Sequence, residues 1–358
     1  MRAQCHDISA SEQPEHFRVQ TEQALMCGAL SAVAQTVFAC LIVIFLGMFE
    51  DSRAWAQTVT NNKLGQPDKF RQLEEVLPTP NTYRTASGAP GHEYWQQKVD
   101  YDIDVELDDE KQRVIGRETI TYTNNSPDTL PYLWLQLDAN IFQPESGQNL
   151  TQGAPSLSDG TSLRQLSSLA AEAKFQGQVD ISEVKEAESG RKLNFTVVRT
   201  NMRVDLANEL RPGQSVRFVI AWQYNINDTS VMPGRSGFEY FEEDKNYLYE
   251  MAQWFPRLCA YTDTTGWQHK EFLGQGEFTL EFGNYVVRIT VPDDHIVAST
   301  GELQNPGEVL TEQQRQRLEQ ARTSADPVFI VTPDEAKTNQ AEGTKGMKTW
   351  IYKADNVR

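Results

Sequence analysis

The chain has 358 residues, of which 39% are hydrophobic and 23% are charged. This length suffices for two domains, and the composition is typical of a globular protein rather than a disordered one. The formal net charge is −17, from 33 basic and 50 acidic side chains. Nucleic-acid binding is therefore not expected, because phosphate recognition needs a concentrated basic surface.

An uncharged apolar segment occupies residues 24–49. About 20 apolar residues are enough to cross the core of a bilayer. Ala54-Trp55-Ala56 follows it, and this A-x-A pattern is typical of a signal-peptidase site. Two interpretations stay open: a cleaved signal peptide over residues 1–56, or an uncleaved anchor that contacts the membrane through residues 24–49. Both predict an exported protein, either periplasmic or membrane-anchored and facing the periplasm or the exterior.

Residues 57–92 are polar and punctuated by prolines, which predicts a linker. From Val99 to Leu107 apolar and polar residues alternate, the pattern of a half-buried strand. We interpret Asp100, Asp102 and Asp104 as the solvent face of that strand rather than as a calcium or catalytic site.

Short segments rich in β-branched and aromatic residues, separated by turn residues, continue along the chain. They predict nine or ten strands in all and a mainly β fold, a large antiparallel sheet or sandwich. The predicted strands after the first are 114–123, 132–137, 192–198, 202–206, 215–226, 247–254 and 296–303, with a hairpin over 276–292 that turns at Gly283-Asn284. Residues 141–190 are expected to be a surface insertion with a short helix over 162–174.

The character of the chain changes after Pro306. Thr311 and Gln314 are spaced as a capping box, which predicts a short helix to about Arg322. Thr349–Lys353 reads as one further strand.

No self-contained catalytic motif is present in the sequence. A zincin helix needs two histidines at i and i+4 with a glutamate between them. His92-Glu93 begins this pattern, but Gln96 stands where the second histidine is required. A Gly-x-Ser-x-Gly elbow and a phosphate-binding loop are also absent from the sequence. Cys259 is the one cysteine beyond the apolar segment, and we interpret it as a small buried side chain.

Several segments, in this order, resemble the N-terminal domain of aminopeptidase-N-type (gluzincin) zinc metallopeptidases, particularly bacterial exported members. The similarity extends over about residues 93–303 and weakly over 350–358. The segments that carry it are VIGRETITYTNN (114–125), LWLQL (133–137), MAQWFPR (251–257), YTDTTGW (261–267), FTLEF (278–282) and ASTGEL (298–303).

The resemblance implies a saddle-like antiparallel β domain that packs against a thermolysin-like catalytic domain, which this chain lacks. The expected organisation is a signal peptide or anchor with an apolar helix (1–56), a linker (57–92), the β domain (93–306), and a helix and strand (307–358) that lead into the catalytic domain. No cofactor is expected in this chain. Zinc is expected in the missing domain, and the chain alone is expected to be inactive.

The resemblance also implies two substrate-binding positions. Gln253 matches a glutamine that lines the substrate pocket in relatives. Phe255 stands where many relatives carry the Glu or Gln that holds the free amine of a peptide, so strict aminopeptidase specificity does not follow. Two other interpretations stay open: for Gln253, a strand residue bonded within the sheet, and for the chain, a non-catalytic exported β-sandwich module that binds through Trp95, Trp254 and Trp267.

Overall fold

The computed structural model describes residues 80–151, 160, 162–274 and 279–358. The predicted apolar helix and segment 24–49, the cleavage site at Ala56 and most of the linker lie outside the described residues. Within the described ranges, no helix is long and apolar enough to cross a membrane.

Fifteen β-strands and five α-helices lie in the described residues. The strands are β1 (Lys98–Asp108), β2 (Arg113–Thr123), β3 (Leu130–Gln136), β4 (Asp180–Glu186), β5 (Phe195–Val198), β6 (Asn201–Leu210), β7 (Ser215–Asn225), β8 (Gly237–Phe241), β9 (Asn246–Glu250), β10 (Arg257–Leu258), β11 (Tyr261–Thr262), β12 (Gly266–Trp267), β13 (Gly283–Pro292), β14 (Glu302–Leu303) and β15 (Met347–Val357). The helices are α1 (Gly147–Thr151), α2 (Leu163–Glu172), α3 (Pro306–Val309), α4 (Glu312–Ala321) and α5 (Pro333–Glu342), and a 3-10 helix spans Asp138–Phe142. The mainly β prediction is confirmed.

Seven strands form the main sheet, in the order β14-β15-β13-β1-β2-β7-β4. All neighbouring strands are antiparallel except β1 and β13, which run parallel with Tyr101 opposite Tyr285. The main sheet is therefore mixed, and the prediction of a purely antiparallel sheet is wrong for this pair.

The hairpin predicted at Gly283-Asn284 does not form, because residues 283–292 are one strand. A β-carbon at Gly283 would collide with the backbone carbonyl of Val99 on β1. The glycine thus permits a close approach of two backbones rather than a turn, a second common role of glycine in strands.

A second, antiparallel sheet has the order β10-β3-β6-β5. It shares one hydrophobic core with the main sheet. The main sheet contributes Ile103 from β1 and Phe218 from β7, and the second sheet contributes Leu135 from β3 and Met202 from β6. These side chains lie on the faces that the period-two alternation of their strands predicts. On the other face of β1, the Arg288 guanidinium lies 2.6 Å from Asp102 and 3.2 Å from Asp104.

Several predicted elements have different limits in the structure. Residues 180–186 form β4, a strand of the main sheet rather than surface insertion; a register shift between Ile181 and Glu183 interrupts the alternation that would have revealed it. The strand predicted at 247–254 ends at Glu250 and pairs with β8, which was not predicted. Of residues 296–303, only Glu302 and Leu303 are in a strand.

The predicted helices at 162–174 and after Thr311 are confirmed. Thr311 and Gln314 form the expected capping box of α4. A second capping box, Thr332 with Glu335, begins α5, which the sequence analysis did not identify. The strand predicted at Thr349–Lys353 is confirmed and is longer, and as β15 it lies inside the main sheet beside β13.

Candidate functional site

Gln253 lies in an irregular segment between β9 and β10. Its backbone φ is 55°, in the left-handed region, which non-glycine residues adopt rarely and often near functional sites. The interpretation of Gln253 as a residue bonded within a strand is therefore wrong. Gln253 instead lines a cavity of about 530 Å³, which we call the Gln253 cavity.

Phe255 does not line this cavity. Its ring packs edge-on against Tyr101, with centroids 5.4 Å apart, and against Tyr285 at 6.2 Å. Phe255 is thus part of the aromatic packing on the main sheet. The structure places the two predicted substrate-binding residues in different surroundings.

The Gln253 cavity is built from segments far apart in sequence. The 3-10 helix contributes Ile141 and Phe142, α2 contributes Leu169, and the end of β7 contributes Tyr224. Further parts of the walls come from the loop at 232–236, from Met251 and Ala252, and from Phe272. The cavity therefore has mixed walls, in which polar and charged side chains such as Asp138, Arg235 and Gln253 stand beside the apolar ones.

A buried ion pair lies at this cavity. Arg257 donates from Nη2 and Nε to Asp138 Oδ2, at 2.6 and 3.1 Å. The Asp138 side chain is 2% exposed and that of Arg257 is 11% exposed. Burial raises the pKa of the Asp138 carboxyl, while the charge and hydrogen bonds of Arg257 oppose this shift. Within the described residues, Asp138 Oδ1 has no hydrogen-bond partner.

Tyr224 adds a second buried polar group to the cavity. Its hydroxyl also has no partner among the described residues, and burial raises its pKa. A carboxylate oxygen accepts hydrogen bonds, and a phenol both donates and accepts. Asp138 and Tyr224 therefore place buried hydrogen-bonding atoms with unused capacity beside the cavity. The sequence analysis missed both; for Asp138 the only local signal was an acidic residue directly after a buried strand.

The described residues do not provide a zinc site, since no three His, Cys, Asp or Glu side chains among them are grouped closely enough to hold a metal ion. The histidines within the described ranges lie apart: His92 is exposed, His269 stacks on Trp134 at 4.6 Å, and His295 lies near Tyr249.

The other residues singled out in the sequence are buried or partly buried. Cys259 is fully buried, and burial raises the pKa of its thiol. Trp95 stacks on Tyr261 with centroids 5.8 Å apart. Trp254 and Trp267 pack against the main core. All three tryptophans are thus partly buried by packing contacts.

No protein-family model and no curated protein matches the chain. Solved structures of an M1 zinc metallopeptidase from Deinococcus radiodurans are similar to it. A point mutant bound to a Tyr-Ser-Ala substrate has 14% identity and a TM-score of 0.34, over 72% of this chain and 39% of that chain. The M1 zinc metallopeptidase from the same organism without the mutation has 14% identity and a TM-score of 0.33, over 74% and 40%. The chain thus spans about two fifths of the length of these structures.

Proposed function

We propose that this chain is the N-terminal substrate-pocket and scaffolding domain of an exported zinc metallopeptidase that hydrolyses peptides. The proposal rests on the ordered sequence segments that resemble that domain. The observation that carries it is the position of Gln253, in a left-handed backbone conformation on the wall of a cavity of about 530 Å³.

In this proposal the chain supplies part of the substrate pocket and no chemistry. Because the two-histidine zincin motif does not occur in these 358 residues, the proposal assigns zinc to a separate catalytic domain. There it would lower the pKa of its bound water to roughly 7 and polarise the scissile carbonyl. Phe255 stands at the sequence position where relatives carry an amine-binding group, and its ring packs on the main sheet. The proposal therefore includes peptide hydrolysis but not strict removal of N-terminal residues.

The first experiment is to read the coding DNA beyond the codon for Arg358. The proposal expects His-Glu-x-x-His, with a second glutamate some twenty residues later. An authentic stop codon would contradict it, and would favour a binding module that uses the Gln253 cavity.

The second experiment measures peptidase activity with and without the downstream segment. We expect residues 1–358 with added zinc to hydrolyse no peptide, and the longer product to show chelator-sensitive hydrolysis. In the longer product, Gln253→Ala should raise KM more than it lowers kcat. Chelator-sensitive hydrolysis by residues 1–358 alone would refute the assignment of the chemistry to a separate domain.

Export is tested on the same protein in cell fractions. A mature N-terminus at Gln57 in the periplasmic fraction would support a cleaved signal peptide. An intact N-terminus in the membrane fraction would support an anchor formed by residues 24–49, and an intact chain in the cytosol would contradict export.

A further inference from the structure

We propose that a second cavity, separate from the one at Gln253, binds an uncharged and mostly apolar small molecule through a single hydroxyl group. The cavity has a volume of about 580 Å³ and lies between the main sheet, β9 and α5. We call it the hairpin cavity, after the β8–β9 hairpin. The inference does not depend on the proposed function.

The walls of the hairpin cavity come from three directions. The main sheet provides Leu107 and Val291, the segment around β9 provides Tyr249 and Trp254, and α5 provides Ala336. Small-molecule sites are typically cavities of about 300–1,000 Å³ with apolar and aromatic walls and a few placed polar groups. The size and the walls of the hairpin cavity are those of such a site.

The hairpin cavity is held open by contacts around its edge. The Gln340 side chain of α5 donates a hydrogen bond to the carbonyl of Asp244, in the turn of the hairpin. Arg317 of α4 donates to both carboxylate oxygens of Glu335 on α5, at 2.6 and 2.7 Å. These contacts tie α5 to the hairpin on one side and to α4 on the other.

His295 is the polar group that defines the ligand. Its Nδ1 lies 3.0 Å from Asp294 Oδ1, and the Thr344 hydroxyl donates to the same oxygen at 2.8 Å. Because a carboxylate only accepts hydrogen bonds, Nδ1 carries a proton, and in the neutral imidazole Nε2 is then an acceptor. Nε2 is buried and has no partner within the described part of the chain. A hydroxyl donor from a ligand satisfies it.

The charges around the cavity favour a neutral ligand. Asp244 and Lys337 are exposed residues of opposite sign among its lining residues. Glu106 also borders the hairpin cavity. It alternates along β1 with Val105 and Leu107, so its side chain lies on the opposite face of the sheet from theirs. Asp294 is already engaged by two donors. Asp244, Lys337 and Glu106 are exposed to solvent, so their charges are screened and add little to the binding of an ionic ligand.

The test uses the full chain and three related probes: 4-phenylbutan-1-ol, its methyl ether and 4-phenylbutanoate. Titration calorimetry and the fluorescence of Trp254, assigned with Trp254→Phe, report binding. We expect the alcohol to bind about tenfold more tightly than the ether, and the carboxylate not to bind. In His295→Phe, which keeps an aromatic ring beside Tyr249, the alcohol and the ether should bind equally.

Two substitutions on one helix provide the matched control. Ala336→Phe places a ring in the cavity, whereas Ala341→Phe adds the same ring at an exposed position of α5 outside it. Ala336→Phe should abolish binding of the alcohol, and Ala341→Phe should leave it unchanged. Both variants should have the melting temperature of the wild type. Gln253→Ala should also leave it unchanged, which separates this site from the proposed substrate pocket.

Three results would overturn the proposal: no binding of the alcohol, equal binding of the alcohol and the ether by the wild-type chain, or equal effects of the two phenylalanine substitutions. Occupation of the cavity by a second copy of the chain would also overturn it, and would appear as a dimer in sedimentation that Ala336→Phe dissociates.

Discussion

Glu281 makes the stability of the protein depend on pH in a direction opposite to that of most carboxylates. Its side chain is largely buried just before β13, and its Oε1 accepts a hydrogen bond from the backbone N–H of Tyr261 at 3.0 Å. Burial raises the pKa of Glu281 from 4.5 to about 7, and the hydrogen bond only partly opposes the shift. The folded protein therefore retains this proton at a pH where the unfolded chain has lost it.

The sign and size of the effect follow from proton linkage. Between pH 4.5 and about 7, the folded state binds one more proton at Glu281 than the unfolded state, so the free energy of unfolding falls by about 1.4 kcal/mol per pH unit. The stabilisation from Glu281 is complete below pH 4.5 and is lost as the pH rises through 7. The total is on the order of 3 kcal/mol.

Glu281→Gln keeps a side-chain oxygen that accepts the hydrogen bond from the Tyr261 N–H, and it removes the carboxyl group that titrates. We expect the variant to be as stable as the wild type near pH 4.5 and more stable by about 3 kcal/mol at pH 8. The assay is urea unfolding of the full chain, followed by tryptophan fluorescence from pH 4.5 to 8.5. Glu302→Gln, at an exposed carboxylate, is the matched control. A difference between variant and wild type that stays constant with pH, or shrinks as the pH rises, would refute the reasoning.

Three further substitutions test the core. Glu118 is fully buried, and both of its carboxylate oxygens lack a partner among the described residues. Burial raises its pKa, so Glu118→Met should stabilise the protein by about 1–3 kcal/mol at pH 8. A loss of stability in urea unfolding would contradict this. Arg257→Met should lower the free energy of unfolding by about 3–5 kcal/mol, because it leaves Asp138 buried and unpaired. The double variant with Asp138→Leu should recover most of that loss. Additive losses in the double-mutant cycle would exclude coupling between the two residues. Gly116→Ala should lower the melting temperature, because the added methyl group meets the Trp222 ring at a cost of about 1–3 kcal/mol; an unchanged temperature would show that the ring moves aside.

Local patterns in the sequence were sufficient for much of the secondary structure. The alternation from Val99 to Leu107 predicted both β1 and its buried face, because side chains in a strand point alternately to the two sides of the sheet. The spacing of Thr311 and Gln314 predicted the start of α4, because a capping box is formed by residues within one helical turn. The second capping box, at Thr332, carried the same signal and could have been found.

The candidate site depended on contacts that no local pattern contains. Asp138 and Arg257 are 119 residues apart in sequence and meet only because β3 pairs with β10. Glycine at 283 permits either a turn or a close backbone approach, and the parallel pairing of β1 with β13 decided between them.

The sequence by itself determined a mainly β fold and the strands with regular alternation, since both follow from interactions between near neighbours in the chain. The tertiary structure alone decided the mixed strand order, the left-handed backbone of Gln253, and which buried polar atoms lack partners. These features are set by pairing between distant segments, and a one-dimensional pattern does not specify which distant segments pair.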